Sequence, residues 1–312
     1  LGMFDFDDSL GIVNQYTSEN SSLTGANGDI ARVKVTDIAF DRFGNMWAAN
    51  FGSLTPICVK TVDNTWLSFE PTVPIDQQWV LQMAFDQYDQ VWFVLPRQGI
   101  LVFNYGTDLE NKLDDQYKKL VTGPGSGNLP SQGVNCLTTD KDGNIWVGTD
   151  KGVTTFYCPG DVFSEFPCDA QQIVISSDDG YNGYLLGTEN VKRIVIDGAN
   201  RKWFGTDNGV WLFSEDGTEE ILHFTTENSP LMSDYITALD IDNSTGEVYI
   251  GTEKGILVYR GDATGGSVKN CEPLVYPNPV RENYTGPIAI SRVVNNAEVK
   301  ITDSQGNLIY RT

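Results

Sequence analysis

The chain has 312 residues, 42 acidic against 21 basic side chains and a single histidine, giving a formal net charge of −21 at pH 7. Such a charge argues against a nucleic-acid partner, whose phosphates are bound by a basic stripe that displaces counterions, and it fits a solvated protein surface. No apolar run reaches the roughly 18 residues that a spanning helix needs, and the length is ample for a large all-β core.

The first ten residues, LGMFDFDDSL, lack a basic region followed by an apolar run, so no secretory leader is read there. Residues 2–6, Gly-Met-Phe-Asp-Phe, instead lie on 209–213, Gly-Val-Trp-Leu-Phe, and 17–23, TSENSSL, lie on 225–231, TTENSPL. The chain thus reads as entering in the middle of a repeat, as a fragment of a longer parent would; a blade missing strands would leave an exposed sheet edge.

The complete unit is clearest at 134–156, VNCLTTDKDGNIWVGTDKGVTTF: an alternating run, a turn with Asp140 first and Gly143 fourth, a short strand at 145–149 and a third strand after Lys151-Gly152. Four other stretches align on the step from the turn Asp to an aromatic. It is six residues in Asp41 to Trp47, Asp86 to Trp92, Asp140 to Trp146 and Asp197 to Trp203, and one longer in Asp242 to Tyr249. The aromatics recur at intervals from 45 residues (47 to 92) to 57 (146 to 203), which fits one four-stranded sheet per unit with the surplus in loops. A second mark is a Gly four residues before an aromatic: Gly99 and Phe103, Gly152 and Phe156, Gly209 and Phe213, Gly255 and Tyr259. The unit at 41–56 breaks this second mark, with Pro56 four residues after Gly52. Trp146 and Gly148 share a face of their strand. The ring is expected to fill the space between adjacent sheets, the Gly to let the neighbouring sheet approach, and the Thr hydroxyl to satisfy turn backbone.

Return strands are read at 65–69 and 220–225. Two stretches are longer than a plain unit needs. One, 105–132, contains the helix-like DLENKLDDQYKKL of 108–120 and the flexible GPGSGN of 123–128; the other is 158–190. Long loops on a rigid scaffold are where binding usually sits, so both are candidate partner surfaces.

The WVGTDKG of 146–152, WFGTDNG of 203–209 and YIGTEKG of 249–255 resemble the β-propeller repeats in the periplasmic sensor regions of hybrid two-component systems. The resemblance implies an all-β propeller over 1–261; five motifs and the leading tail imply six or more blades in the parent. Residues 262–270, beginning DATGGS, read as a linker, after which 271–312 changes character. Strands are read at 288–294, 297–302 and 308–310, with a hairpin turn at 304–307. The motif Tyr276-Pro277-Asn278-Pro279 and the DSQGNLIY of 303–310 resemble the start of the immunoglobulin-like C-terminal domain of proteins handled by the type IX secretion system. A sandwich needs about seven strands, so 271–312 would be only its first part.

A propeller of this type followed by such a domain resembles surface proteins of the type IX attachment complex. What that implies is a non-catalytic protein at the cell surface, associated with the outer membrane. It would bind anionic lipopolysaccharide and present it to the sortase that attaches it to secreted cargo, with the other attachment-complex proteins as partners. The runner-up is a periplasmic oligosaccharide sensor of a two-component system, and a propeller lyase comes third. Completion of the C-terminal domain in the parent would favour the first reading, a membrane helix and kinase the second.

The search for catalytic chemistry comes out thin. His223 lies in a strand copy away from any evident nucleophile, and no phosphate loop, zinc-ligand spacing or nucleophile elbow occurs. Asp140, Asp142 and Asn144 have the spacing of the first ligands of a calcium loop, but the distant Glu is missing and a strand follows at once, so they read as turn residues. No catalytic residue, metal or cofactor is assigned. Of five cysteines, Cys58 and Cys136 fall in strand patterns and read as small core residues. Cys158 and Cys168 bracket nine residues, which allows a disulfide in an oxidising compartment; Cys271 has no obvious partner. An anionic ligand on so acidic a chain needs a local basic pocket or a bridging cation. The basic pairs are Lys118-Lys119, Lys192-Arg193 and Arg201-Lys202, the last two reading as solvated charges at the edge of a motif strand.

Overall fold

The computed structural model describes residues 2–7, 11–29, 31–176, 182–265 and, beyond those, 274–276, 279, 284, 288–291, 293, 299–303, 305 and 308–311. Among them regular structure is strand, joined by turns and three short 3-10 segments. Blade 1 is the pair Met3–Asp7 and Gly11–Tyr16. Blade 2 holds Val35–Phe40, Met46–Asn50, Ile57–Lys60 and Trp66–Phe69. Blade 3 holds Met83–Phe85, Val91–Leu95, Gly99–Asn104 and Gln116–Leu120. Blade 4 holds Val134–Thr139, Ile145–Thr149 and Gly152–Phe156, with Gln171 bridging to Thr155 where a fourth strand would run. Blade 5 holds Arg193–Ile196, Lys202–Thr206, Gly209–Phe213 and Glu220–Phe224, and blade 6 Ile236–Asp242, Glu247–Thr252 and Gly255–Arg260. Each is an antiparallel meander in chain order, the arrangement of propeller blades.

The second strands of blades 3, 4 and 5, VWFVL, IWVGT and KWFGT, are buried at every position. A strand covered on both faces needs no polar alternation. Blade 6 shows the contrast: Gly255–Arg260 alternates between half-buried and exposed.

The repeated tryptophans occupy the gaps between consecutive blades. Trp47 meets Phe85, Phe103 and Tyr105 of blade 3, Trp92 meets Phe156 of blade 4, Trp146 meets Phe204 of blade 5 and Trp203 meets Tyr259 of blade 6. All four rings are buried within the clusters that join each blade to the next. Truncating one to Ala would cost about 3–5 kcal/mol through the cavity left behind. In blades 4 and 5 the residue two positions on is a glycine that this approach requires, where blades 2 and 3 have Ala49 and Val94: a Cβ at Gly205 would lie 2.7 Å from Ile236 Cγ2 of blade 6, and one at Gly148 would lie 2.8 Å from Val191 Cγ1.

The structure corrects the helix reading at 108–120. Residues 106–114 are turns, with the Asp108 carboxylate accepting the Glu110 N–H at 2.9 Å, and Gln116–Leu120 is the fourth strand of blade 3. Its pairing with Gly99–Asn104 stacks Tyr117 on Phe103 at 4.6 Å, so a sheet edge that needs a partner overrides local helix propensity.

The two long stretches pack on each other. The Asp169 carboxylate accepts the Gly125 and Gly127 N–H groups at 2.6 and 2.9 Å, and Lys118 Nζ donates to the Val162 carbonyl at 2.6 Å. Lys119 reaches the other way, to the Pro74 carbonyl at 3.2 Å. Beyond residue 265, Leu274–Tyr276 pairs with Ala289–Ser291 and Lys300–Thr302 with Leu308–Arg311.

Candidate functional site

Antiparallel pairing sorts the loops to two ends of each blade. Val134 lies opposite Thr149 and Thr139 opposite Ile145, so the start of a first strand and the turn between the second and third share one end, here the entry end. The turn of the repeated Asp sits at the other, the turn end.

At the turn end each Asp organises its own turn. Asp140 Oδ1 accepts the N–H of Asp142 at 3.0 Å and of Asn144 at 2.9 Å, and Oδ2 accepts the indole N–H of Trp146 at 2.8 Å. The same set recurs at Asp41, Asp86 and Asp197, with Trp47, Trp92 and Trp203 at 3.0, 2.9 and 3.3 Å. The six-residue step is therefore the reach of a turn-capping carboxylate to an indole in the next strand. At Asp140 these bonds consume the acceptors a cation would need. Between blades 4 and 5 the turn end opens into a cleft of about 540 Å³ lined by Asp140, Asp142, Glu215, Asp216 and Glu219. An anion would be repelled there.

The entry-end turns also carry acids, Asp150, Asp207 and Glu253, but the cleft at that end is lined without one. Thr149, Thr206 and Thr252 each donate to the carbonyl of the Gly three residues on, at 2.9, 3.2 and 3.0 Å, and accept the N–H two residues on, which closes the turns as expected of the Thr. At the same end lies a cleft of about 490 Å³. It is bounded by Leu81, Pro96 and Arg97 of blade 3 and by the incoming chain of blades 4, 5 and 6, including Asn135, Lys192, Arg193 and Tyr235. Its floor is a chain of bonds: Asn135 Nδ2 donates to Asn190 Oδ1 at 2.8 Å, Asn190 Nδ2 to Asp207 Oδ2 at 2.9 Å, and Asp207 pairs with Lys192. Lys192 Nζ sits 2.8 Å from the centre of the Tyr235 ring. Burial favours the neutral Asp207 carboxyl, yet its bonds to Lys192 and Asn190 hold it below the ordinary carboxylate range. Arg193 Nη1 donates to the Lys192 carbonyl at 2.7 Å, and Arg97 stands on a left-handed turn residue with φ 59°. Among the described residues neither arginine has a carboxylate within ion-pair distance.

The basic pairs need correction against this geometry. Lys202 is no solvated edge charge: it is fully buried, 3.3 Å from Asp140 Oδ2, 2.7 Å from the Asn200 carbonyl and 4.8 Å above the Trp146 ring. Arg201 pairs with Asp197 at 2.7 Å and with Asp262 at 2.5 Å. Lys192 is likewise paired, and Arg193 alone of these four remains exposed and without an acid. Arg97, Asn135 and Tyr235 carried no sequence signal, because blade stacking alone assembles them.

A disulfide joins Cys158 to Cys168, with Cα atoms 5.6 Å apart, while Cys58 and Cys136 are buried free thiols. Burial pushes the Cys58 thiol up to about 11. His223 stacks on Trp211 with ring centres 3.3 Å apart and its Nε2 lies 3.0 Å from the Asn208 carbonyl, so its polar atom is used within blade 5. Tyr276 closes the strand Leu274–Tyr276 and Pro279 lies in a bend, whereas Pro277, Asn278 and Cys271 lie outside the described residues.

The architecture defines an all-β protein of propeller type, and the repeat family described as Two component regulator propeller matches residues 128–151. Over its whole length the chain is similar to PorZ, described as an essential bacterial surface component of the type-IX secretion system of Porphyromonas gingivalis, at 29% identity and a TM-score of 0.75. It spans 43% of that protein. Looser likenesses reach virginiamycin B lyase of Staphylococcus aureus (14% identity, TM-score 0.46, 72% of this chain and 69% of that one) and the extracellular domain of a hybrid two-component system of B. thetaiotaomicron (14%, 0.37, 81% and 40%). At those scores neither bears on function. No curated protein matches the sequence.

Proposed function

We propose that the chain belongs to a non-catalytic component of a type IX secretion system, held at the cell surface in association with the outer membrane. It binds anionic lipopolysaccharide and presents it to the sortase for attachment to secreted cargo, alongside the other attachment-complex proteins. The observation that carries this reading is the similarity to PorZ over the entire chain, both blades and C-terminal strands. In the same reading, 1–261 are blades of a propeller with six or more, 262–270 a linker, and 271–312, with Tyr276, Pro277, Asn278 and Pro279 at its start, the first strands of an immunoglobulin-like secretion domain. The entry-end cleft supports it by supplying unpaired cationic groups on an acidic chain.

Calorimetric titration with purified anionic lipopolysaccharide, and in parallel with neutral and acidic oligosaccharides, each with and without calcium, tests it. Saturable binding of the lipopolysaccharide is expected. Binding of free oligosaccharides alone would move the assignment to the second reading, a sensor propeller, which the repeat match at 128–151 favours.

A further inference from the structure

We propose that the entry-end cleft between blades 3 and 6 is the site of an acidic pyranose, a sugar ring carrying a phosphate or carboxylate, whose charge is taken by Arg97 and Arg193. The inference rests on the anionic-ligand reading above and gives it a location.

Charge singles out the place. Among the described residues Arg97 and Arg193, both exposed and neither within ion-pair distance of a carboxylate, border one cleft whose lining holds no acid, in a chain where acids outnumber bases two to one. Guanidinium groups match phosphate and carboxylate oxygens in a two-pronged geometry that an ammonium lacks. Lys192 has a different part: neutralised by Asp207 and set against Tyr235, it fixes the floor and leaves the ligand's charge to the arginines. At physiological salt, screening over about 8 Å separates the cleft from the acids of the turn end.

The walls supply the rest of the specificity. Leu81, Pro96 and the Tyr235 ring, 46% exposed, offer apolar and aromatic surface to the C–H face of a sugar, and the amides of Asn135 and Asn190 stand in a fixed network below. The volume of about 490 Å³ falls within the range of small-ligand pockets. Arg97 is held in a left-handed conformation that a long side chain rarely adopts, the kind of local strain that accumulates at binding sites.

The test uses the full chain and the variants Arg97→Asn, Arg193→Gln and both together; asparagine tolerates the left-handed backbone, and both arginines are exposed, so coincident thermal unfolding confirms an intact fold. Glucose 6-phosphate, glucuronate, methyl glucoside, inorganic phosphate and purified anionic lipopolysaccharide are titrated in turn. The double variant is expected to weaken binding of the acidic sugars and the lipopolysaccharide at least tenfold, and the tighter of glucose 6-phosphate and glucuronate identifies the acid group. Inorganic phosphate binding as tightly as glucose 6-phosphate would overturn the pyranose assignment. Unchanged lipopolysaccharide affinity in the double variant would overturn the site while leaving the proposed function standing. Arginine-dependent binding of the acidic sugars without binding of the lipopolysaccharide would keep the site and remove that function, and no binding of any ligand by the unaltered chain would remove both.

Discussion

The turns at Asp86 and Asp140 are built alike, yet their carboxyls shift in opposite directions. Each carboxylate accepts the N–H groups two and four residues on and the indole N–H six residues on. Burial raises both carboxyls. At Asp86 the bonds from Trp92, Tyr88 and Gln90 do not offset it, and the group stays above its ordinary value. At Asp140 the bonds from Trp146 and Asn144, joined by the charge of Lys202 from blade 5, bring it below. The repeat thus fixes the hydrogen bonds of a turn, and the neighbouring blade adds to or withholds from them a charge that favours the carboxylate. The two interfaces differ accordingly: Gln90 reaches across to the Pro159 carbonyl at 3.1 Å, an amide contact, where blades 4 and 5 are joined by a buried ion pair.

Breaking that ion pair should give the largest effect. Asp140→Asn leaves Lys202 buried without a counter-charge and should cost about 3–5 kcal/mol in urea unfolding. The Asp140→Asn, Lys202→Met double variant should recover part of that loss, since the charge needing a partner has gone. Additive single effects would mean that the pair is not coupled. Replacing Cys158 and Cys168 together by Ser should destabilise by about 2–3 kcal/mol, the value for closing a loop of this short length. Because the loop they close carries Pro159 and Val162 against blade 3, amide exchange should rise first around Gln90 and Lys118. An unchanged exchange pattern there would show that the loop docks without its crosslink.

Acid titration separates the two turns by sign. Asp140, with its folded value lowered, contributes stability that is complete above the unfolded value and is lost as pH falls through the folded one. Asp86, with its folded value raised, contributes stability that is present below the unfolded value and is lost as pH rises through the folded one. The gap between the unaltered chain and Asp140→Asn should therefore narrow on acidification, and that between the unaltered chain and Asp86→Asn should move in the opposite sense. Parallel curves for the two variants would contradict the role given to Lys202. The smallest effect is expected from Thr149→Val, which removes one donor and one acceptor from the entry-end turn, at about 1 kcal/mol of stability.

What the sequence by itself determined lies within a few residues of chain. The Asp-to-Trp step, the Gly that admits the next blade and the Thr that closes the entry turn are contacts inside one repeat or forced by the repeat's stacking, so recurrence alone exposes them and the propeller-type fold. The rest is set by pairs far apart in sequence. Lys202 meets Asp140 only because blade 5 stacks on blade 4, and the same stacking brings Arg97 to the cleft of Arg193 and Tyr235. At 108–120 a helix-like pattern yields to a strand because Gly99–Asn104 offers an unpaired edge that only the folded blade presents. Local hydrogen bonding is written in spacing, whereas burial and charge pairing depend on which surfaces meet, and those were decided by the tertiary structure.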